Sequence, residues 1–242
     1  MIGTARHGHV LVVTLERPER RNALDRTTLD ELDEAISGAA ADGVRVLVLT
    51  GAGGHFCSGA DLTAVEDEAF VAALNRVLIG LREAPFPTMA AIAGFALGAG
   101  TQLAIACDLR MATASAAFGV PAAKLGLMVD QWTVRRLVGL VGQSTARDVL
   151  LTADQIPGER AHALGLVHRI GELQDALGWA GRISELAPLT LAGLKVGLNE
   201  ADAAVATTAA FGEAFERAWA SADFAEGLSA FHEKRRPAFE GR

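Results

Sequence analysis

The order of apolar patterns along the chain limits its architecture more tightly than any single motif. Up to about Gly119, short β-branched runs alternate with segments of helical spacing; after it, the pattern is mostly helical. Residues 2–6 and 10–16 read as two strands meeting at Gly8, a hairpin. A polar loop over 17–24 follows. Thr28-Leu29-Asp30-Glu31 then has the capping-box form and predicts a helix to about Ala41. Val44–Thr50 reads as a buried strand, 51–61 as a glycine-rich loop, and Glu66–Glu83 as a helix ending before Pro85 and Pro87. Thr88–Ala93 and Leu109–Ala112 read as strands flanking a short buried helix at Gly98–Ala106. Helices are expected at 132–141, 144–151, 159–164, 172–186 and from Pro188 onward. Alternation gives an α/β core, and the later helices give a region that packs on it or on a neighbour.

Composition narrows the function. With 242 residues, half of them hydrophobic, the chain supports one large domain rather than two small ones. A formal net charge of -7 repels a phosphate backbone and argues against a nucleic-acid partner. A small anionic ligand remains compatible through a local basic patch or helix N-termini. Cys57 and Cys107 lack metal-ligand spacing and fit a reducing compartment. The first residues carry no basic-then-apolar signal pattern, and glycines and charges interrupt every apolar run short of a membrane span. A cytoplasmic protein with no transmembrane segment, no metal and no cofactor is expected.

Two glycine-rich turns carry the candidate chemistry. Gly51 to Leu62 follows a strand, and Gly54 to Gly59 has the outer spacing of a phosphate-binding loop. Ala60-Asp61 stands where such a loop needs Lys-Ser/Thr, so that reading fails. Ala93 to Ala106 places Gly94, Gly98 and Gly100 where a helix begins, allowing close backbone approach beside unsatisfied N–H donors. Two such turns face to face would stabilise a developing oxyanion.

Taken together these segments resemble the enoyl-CoA hydratase/isomerase (crotonase) superfamily. Phe-Cys-Ser-Gly-Ala-Asp-Leu (56–62) is similar to its first signature, and Gly-Phe-Ala-Leu-Gly-Ala-Gly-Thr-Gln-Leu-Ala (94–104) with Cys107-Asp108-Leu109 to its second. Residues 16–24 resemble its CoA loop, and 226–237 its C-terminal segment. The resemblance implies an α/β crotonase (ClpP/crotonase-like) ββα spiral core over 1–185 and a C-terminal helical trimerisation region over 186–242. It implies one domain over 1–242, assembled as a homotrimer or hexamer. It implies an oxyanion hole from the backbone N–H groups of Ser58 and Ala99. Ligand contacts would come from Arg20, Ala23, Leu24, Ala60, Asp61 and Leu62, with coenzyme A entering as part of the ligand. Phe231 and Lys234 would reach the adenine and 3′-phosphate, from a neighbouring subunit or from the same one.

The chain departs from that pattern where protons move. The resemblance puts hydratase glutamates at two positions, and here these hold Gln102 and Ala122. An amide neither takes up nor delivers a proton at neutral pH, and a methyl group does neither; general acid–base help is worth ~10²–10⁴ in rate. Asp130 falls where the superfamily's dehalogenases carry an aspartate nucleophile, and it equally suits the N-cap of a helix starting at Gln131. Trp132 either shapes the acyl pocket or belongs to the core. The Gly-Ala-Gly-x-Gln-Leu turn and the Leu-x-x-Asp-x-Trp stretch resemble a hydratase-like, acyl-CoA-binding mycobacterial branch of mycolic-acid synthesis. That implies a fatty acyl-CoA carrier working with fatty-acid elongation enzymes; an active hydratase, isomerase or thioesterase using Asp130 is the alternative. His55, His162, His168 and Cys57 show no metal geometry or activating base, and Ser58 lacks a Gly-x-Ser-x-Gly context.

Overall fold

The computed structural model describes residues 1–61, 68–125, 128–201, 209, 213, 217, 220–235 and 237–242. Six strands form the main sheet in the order β1-β2-β3-β4-β6-β9. The first pair, β1 (Ile2–His7) and β2 (Val10–Leu15), is the expected antiparallel hairpin. The remaining neighbours, β3 (Val46–Gly51), β4 (Thr88–Ile92), β6 (Leu109–Ala112) and β9 (Arg169–Ile170), run parallel. Strand periodicity of two divides their side chains between two cores. Val13, Leu15, Leu47, Leu49, Ala90 and Ile92 point to one face. Val10, Val12, Val46, Val48, Met89 and Ala91 point to the other. Burial on both faces explains why these segments read as continuous apolar runs.

Helices cover both faces. Helices α1 (Arg26–Ala39), α2 (Glu68–Glu83) and α3 (Ala99–Ala106) lie on the first face, and α6 (Leu173–Ser184) presses Ala176 and Ala180 into the second. The first helix begins earlier than the capping-box reading placed it. Asp25 is the N-cap, its Oδ1 accepting from Thr28 N–H at 2.8 Å, so Thr28 lies inside the first turn and buries its side chain. Helix α4 (Gln131–Thr152) contains Gly142 at φ 74°, ψ 165°, which separates the two helices expected at 132–141 and 144–151.

A second sheet was not foreseen. β5 (Phe95–Leu97), β7 (Ala117–Gly119) and β8 (Ile156–Pro157) pair in the order β5-β7-β8. Strands of two or three residues are too short to show periodicity. This small sheet sits directly before α3 and sets where that helix begins.

The later elements are α5 (Gly158–Ala163), α7 (Pro188–Ala201) and α8 (Ala222–Glu233). Buried Lys195 fastens α7 to the core. Its Nζ donates to Leu81 O at 2.9 Å and Phe86 O at 3.0 Å and lies 2.8 Å from Asp108 Oδ2. The same Asp108 oxygen accepts from Thr88 N–H and lies 3.0 Å from its hydroxyl. Among the described residues no helix is long and apolar enough to cross a membrane, and no group of three or more side chains suits a metal ion.

Candidate functional site

The two glycine turns meet. Cys57 and Ala96 form a parallel bridge, with Cys57 N–H donating to Phe95 O at 2.8 Å and Leu97 N–H to Cys57 O at 3.0 Å. Gly100 packs so closely on the Cys57 carbonyl that no side chain fits there. Gly59 takes φ +112°, and a Cβ built on it would lie 2.9 Å from Leu97 O and 3.8 Å from Ala99 N. Only glycine suits both that backbone and that approach.

The strand's alternation decides which N–H groups are available. Cys57 N–H points to β5, so the next, Ser58 N–H, points the opposite way and donates to Arg21 O at 3.0 Å. This corrects the expectation that Ser58 supplies a free backbone donor: its N–H is already engaged. After Gly59 the direction resets. Leu24 N–H donates to Gly59 O at 2.8 Å and Asp61 N–H to Leu24 O at 2.7 Å. In that parallel bridge Ala60 turns its own N–H away from Leu24. On the other turn, Gly98 N–H donates to Gly119 O at 2.8 Å, and Thr101 Oγ1 lies 2.8 Å from the same carbonyl and 2.6 Å from Ala96 O. Ala99 is the first residue of α3, where a helix N–H has no partner within its own helix.

Ala60 and Ala99 both line a cavity of about 300 Å³. Its apolar lining comes from Phe70, Val71 and Leu74 of α2, from Val120, Pro121 and Ala122, and from Met128 and Val129. Gln102 and Asp130 add polar groups to it. Gln102 Nε2 donates to Asp130 Oδ2 at 3.0 Å and to Thr133 Oγ1 at 2.8 Å. Asp130 also caps α4, its Oδ1 accepting from Thr133 N–H at 3.0 Å and its Oδ2 from the Thr133 hydroxyl at 2.7 Å. The aspartate is therefore both the helix cap and part of the cavity lining.

The other expected contacts divide. Leu24 is fully buried, so its backbone orders the turn while its side chain belongs to the core. Asp61 does not line the cavity; its carboxylate pairs with Arg17 Nη2 at 3.4 Å. Trp132 also lies off the cavity lining, packing on the core with the Arg82 guanidinium 5.2 Å above its ring, so it does not wall the pocket. Arg20 is exposed, and its carbonyl accepts from the Ser58 hydroxyl at 3.2 Å; Ala23 is half-buried. Lys234 is exposed just beyond α8. Leu62 and the Phe231 side chain lie outside the described residues.

Asn22 was missed. It is buried and bolts the CoA-loop segment to the glycine turn, donating to Ala52 O at 2.9 Å and His55 O at 2.6 Å and accepting from Arg17 N–H at 2.9 Å. An asparagine able to take a left-handed backbone, here φ 57°, was the only signal. The α2 wall was also missed, because apolar spacing gives a helix a buried face without saying what it faces. Cys57 is inert: full burial pushes its thiol up to about 12, so it presents no thiolate.

A family model described as "Enoyl-CoA hydratase/isomerase" matches residues 5–242. The chain belongs to the enoyl-CoA hydratase/isomerase family. A "Probable enoyl-CoA hydratase echA6" of Mycobacterium tuberculosis is 44% identical over 245 residues, covering all of both chains. The 2,3-dehydroadipyl-CoA hydratase of Escherichia coli is 36% identical over 98% of each chain. A crystal structure of an enoyl-CoA hydratase/carnithine racemase from Magnetospirillum magneticum superposes with a TM-score of 0.92 at 31% identity, covering 100% of this chain and 96% of that one. The fold is the crotonase fold with its C-terminal helices, as the sequence implied.

Proposed function

We propose that the cavity binds a fatty acyl-CoA thioester, holds its carbonyl oxygen between the backbone N–H groups of Ala60 and Ala99, and carries little hydratase activity. The chain would then serve as an acyl-CoA carrier. Family membership supports the ligand class. The facing turns support the oxyanion hole, because backbone donors fixed by Gly59, Gly98 and Thr101 need no reorganisation as charge develops.

The observation that carries the loss of hydratase activity is the Gln102 amide. Both its protons are donated, to Asp130 and Thr133, so it neither activates water nor protonates carbon. In the same cavity lining Ala122 offers only a methyl group. Catalysis of hydration needs both steps, so carbonyl polarisation survives while proton transfer does not.

A second reading, an isomerase or thioesterase using Asp130, is favoured by the position of that carboxylate in the cavity lining. Against it, three donors already hold the two oxygens. The proposal retains Lys234 and Phe231 as CoA contacts, a homotrimer or hexamer, and fatty-acid elongation enzymes as partners. Calorimetric titration with acyl-CoA, run beside crotonyl-CoA hydration on the same preparation, tests it. Tight binding with negligible turnover is expected, and ordinary turnover contradicts it.

A further inference from the structure

Every residue of α3 is buried, so solvent screens neither end of this helix. Its first N–H groups carry partial positive charge and its last carbonyls partial negative charge. Two guanidinium groups close the carbonyl end. Arg110 Nη1 donates to Ala104 O at 3.2 Å and to Cys107 O at 2.6 Å, and its Nε donates to Leu166 O at 2.7 Å. Arg136, from α4, donates through Nε to Ile105 O at 3.1 Å. Arg110 is 1% exposed, and Asp108, two residues before it, pairs with Lys195 instead. His168, which accepts from Arg110 N–H, is neutral at pH 7 because burial holds its imidazole down to about 4. The Arg110 charge therefore faces carbonyl oxygens rather than a carboxylate. Burying a cation is costly, and an apolar side chain of similar volume would fill the space without that cost.

The opposite end of α3 begins at Ala99, which lines the cavity. A helix of eight residues spans roughly 12 Å. We infer that Arg110, supported by Arg136, is a positioning residue that holds α3 by its carbonyl end and adds its charge to the field at Ala99 N–H. The inference rests on the oxyanion-hole reading of that turn. At roughly 12 Å and an effective dielectric of about 20, one unit charge stabilises an opposite one about tenfold. A neutral thioester carbonyl gains less, because it presents only a partial charge. The clamp therefore favours ligands whose oxygen becomes a full anion. A 3-oxoacyl thioester is such a ligand: it loses a proton from the carbon between its two carbonyls and places the enolate charge on oxygen.

The test titrates 3-oxobutanoyl-CoA bound to the full-length protein and follows the ultraviolet absorbance of its enolate against pH. The charged side chain at the first turn of α3, Asp130 held by Gln102, is the same in every variant compared. We expect the wild type to lower the enolate pKa below that of the free ligand. Arg110→Met should raise it again by about one unit, the tenfold loss expected for one charge. Arg110→Lys, which keeps the charge, should stay within about 0.3 unit of wild type. A role in packing alone would not follow charge in this way. If Arg110→Met misfolds, half-buried Arg136 serves: Arg136→Met should raise the pKa by about half a unit, and Arg136→Lys should not. A folded methionine variant that titrates like wild type overturns the inference and leaves the oxyanion hole standing; so does a lysine variant that moves as far as the methionine one. If the wild type leaves the enolate pKa at its free value, the oxyanion-hole reading and the inference fall together.

Discussion

Gln102 Nε2 sits 3.0 Å from Asp130 Oδ2, joining the first turn of α3 to the cap of α4 across a separation of 28 residues. The contact gives one side chain two tasks. Asp130 holds down the α4 N-terminus and lines the cavity, while Gln102 fixes the direction of its carboxylate. Removing Asp130 should therefore cost stability through two routes. Loss of an N-cap typically costs about 1 kcal/mol, and a buried amide proton left without its acceptor costs about 1 kcal/mol more. We expect Asp130→Ala to lower unfolding free energy by about 2 kcal/mol in urea titration. A loss below about 0.5 kcal/mol would show that the cap and the tether contribute little.

Restoring carboxylates should expose the same coupling. Gln102→Glu alone places a second carboxylate beside Asp130 and should raise crotonyl-CoA hydration little. Gln102→Glu with Ala122→Glu and Asp130→Asn removes the repulsion and supplies both proton-transfer groups. A gain of tenfold or more over the single variant, about 1.4 kcal/mol in the barrier, is expected in initial-rate assays at matched acyl-CoA saturation. An equal gain from Gln102→Glu alone would show that Asp130 does not oppose a neighbouring carboxylate.

His168 lies far from this site in role and gives the fold a pH dependence. Its Nδ1 accepts from Arg110 N–H at 3.1 Å, and burial, reinforced by the Arg110 guanidinium, pushes the imidazole down to about 4. The unfolded chain takes up this proton near pH 6.5, before the folded chain does. The contribution is thus complete above pH 6.5 and is lost as pH falls toward 4. We expect His168→Asn, whose side-chain oxygen can accept the same N–H, to flatten stability against pH across that window in thermal unfolding. An unchanged slope would assign the acid sensitivity to other groups.

Lys195 shows how the C-terminal helices are held. Burial lowers the pKa of its ammonium, and Asp108 opposes that shift. Breaking a buried pair by removing one partner costs about 3–5 kcal/mol. Asp108 is partly exposed, so the lower end applies to Lys195→Met. A loss of about 3 kcal/mol in denaturant unfolding is expected, together with earlier proteolysis after residue 185. A variant as stable as wild type would mean that α7 docks by apolar contacts alone.

The parallel strands were legible because β-branched runs such as Val46–Leu49 are buried on both faces and need no partner to be recognised. The cavity's Ala99, Gln102 and Ala122 were legible from motif positions. What sequence spacing missed were reversals and distant neighbours. The expectation for Ser58 failed because donor direction alternates along the strand and resets at Gly59, whose positive φ leaves Ala60 facing the cavity. For Trp132 the sequence left pocket and core both open, because helical spacing does not reveal which neighbour, here Arg82, covers a face, and the folded chain selects the core. The Gln102–Asp130 tether and the Lys195–Asp108 pair join residues far apart in sequence, and only the folded chain brings them together.

The most direct measurement is wild-type turnover of crotonyl-CoA, followed by loss of enoyl absorbance, on protein whose acyl-CoA affinity has been determined in the same buffer. With Gln102 bonded to Asp130 and only a methyl group at Ala122, we expect saturable binding and hydration at least ~10²-fold below an ordinary enzymatic rate of roughly 10 s⁻¹. Hydration at or above that ordinary rate would contradict the carrier reading and show that another group, most directly Asp130, moves the proton.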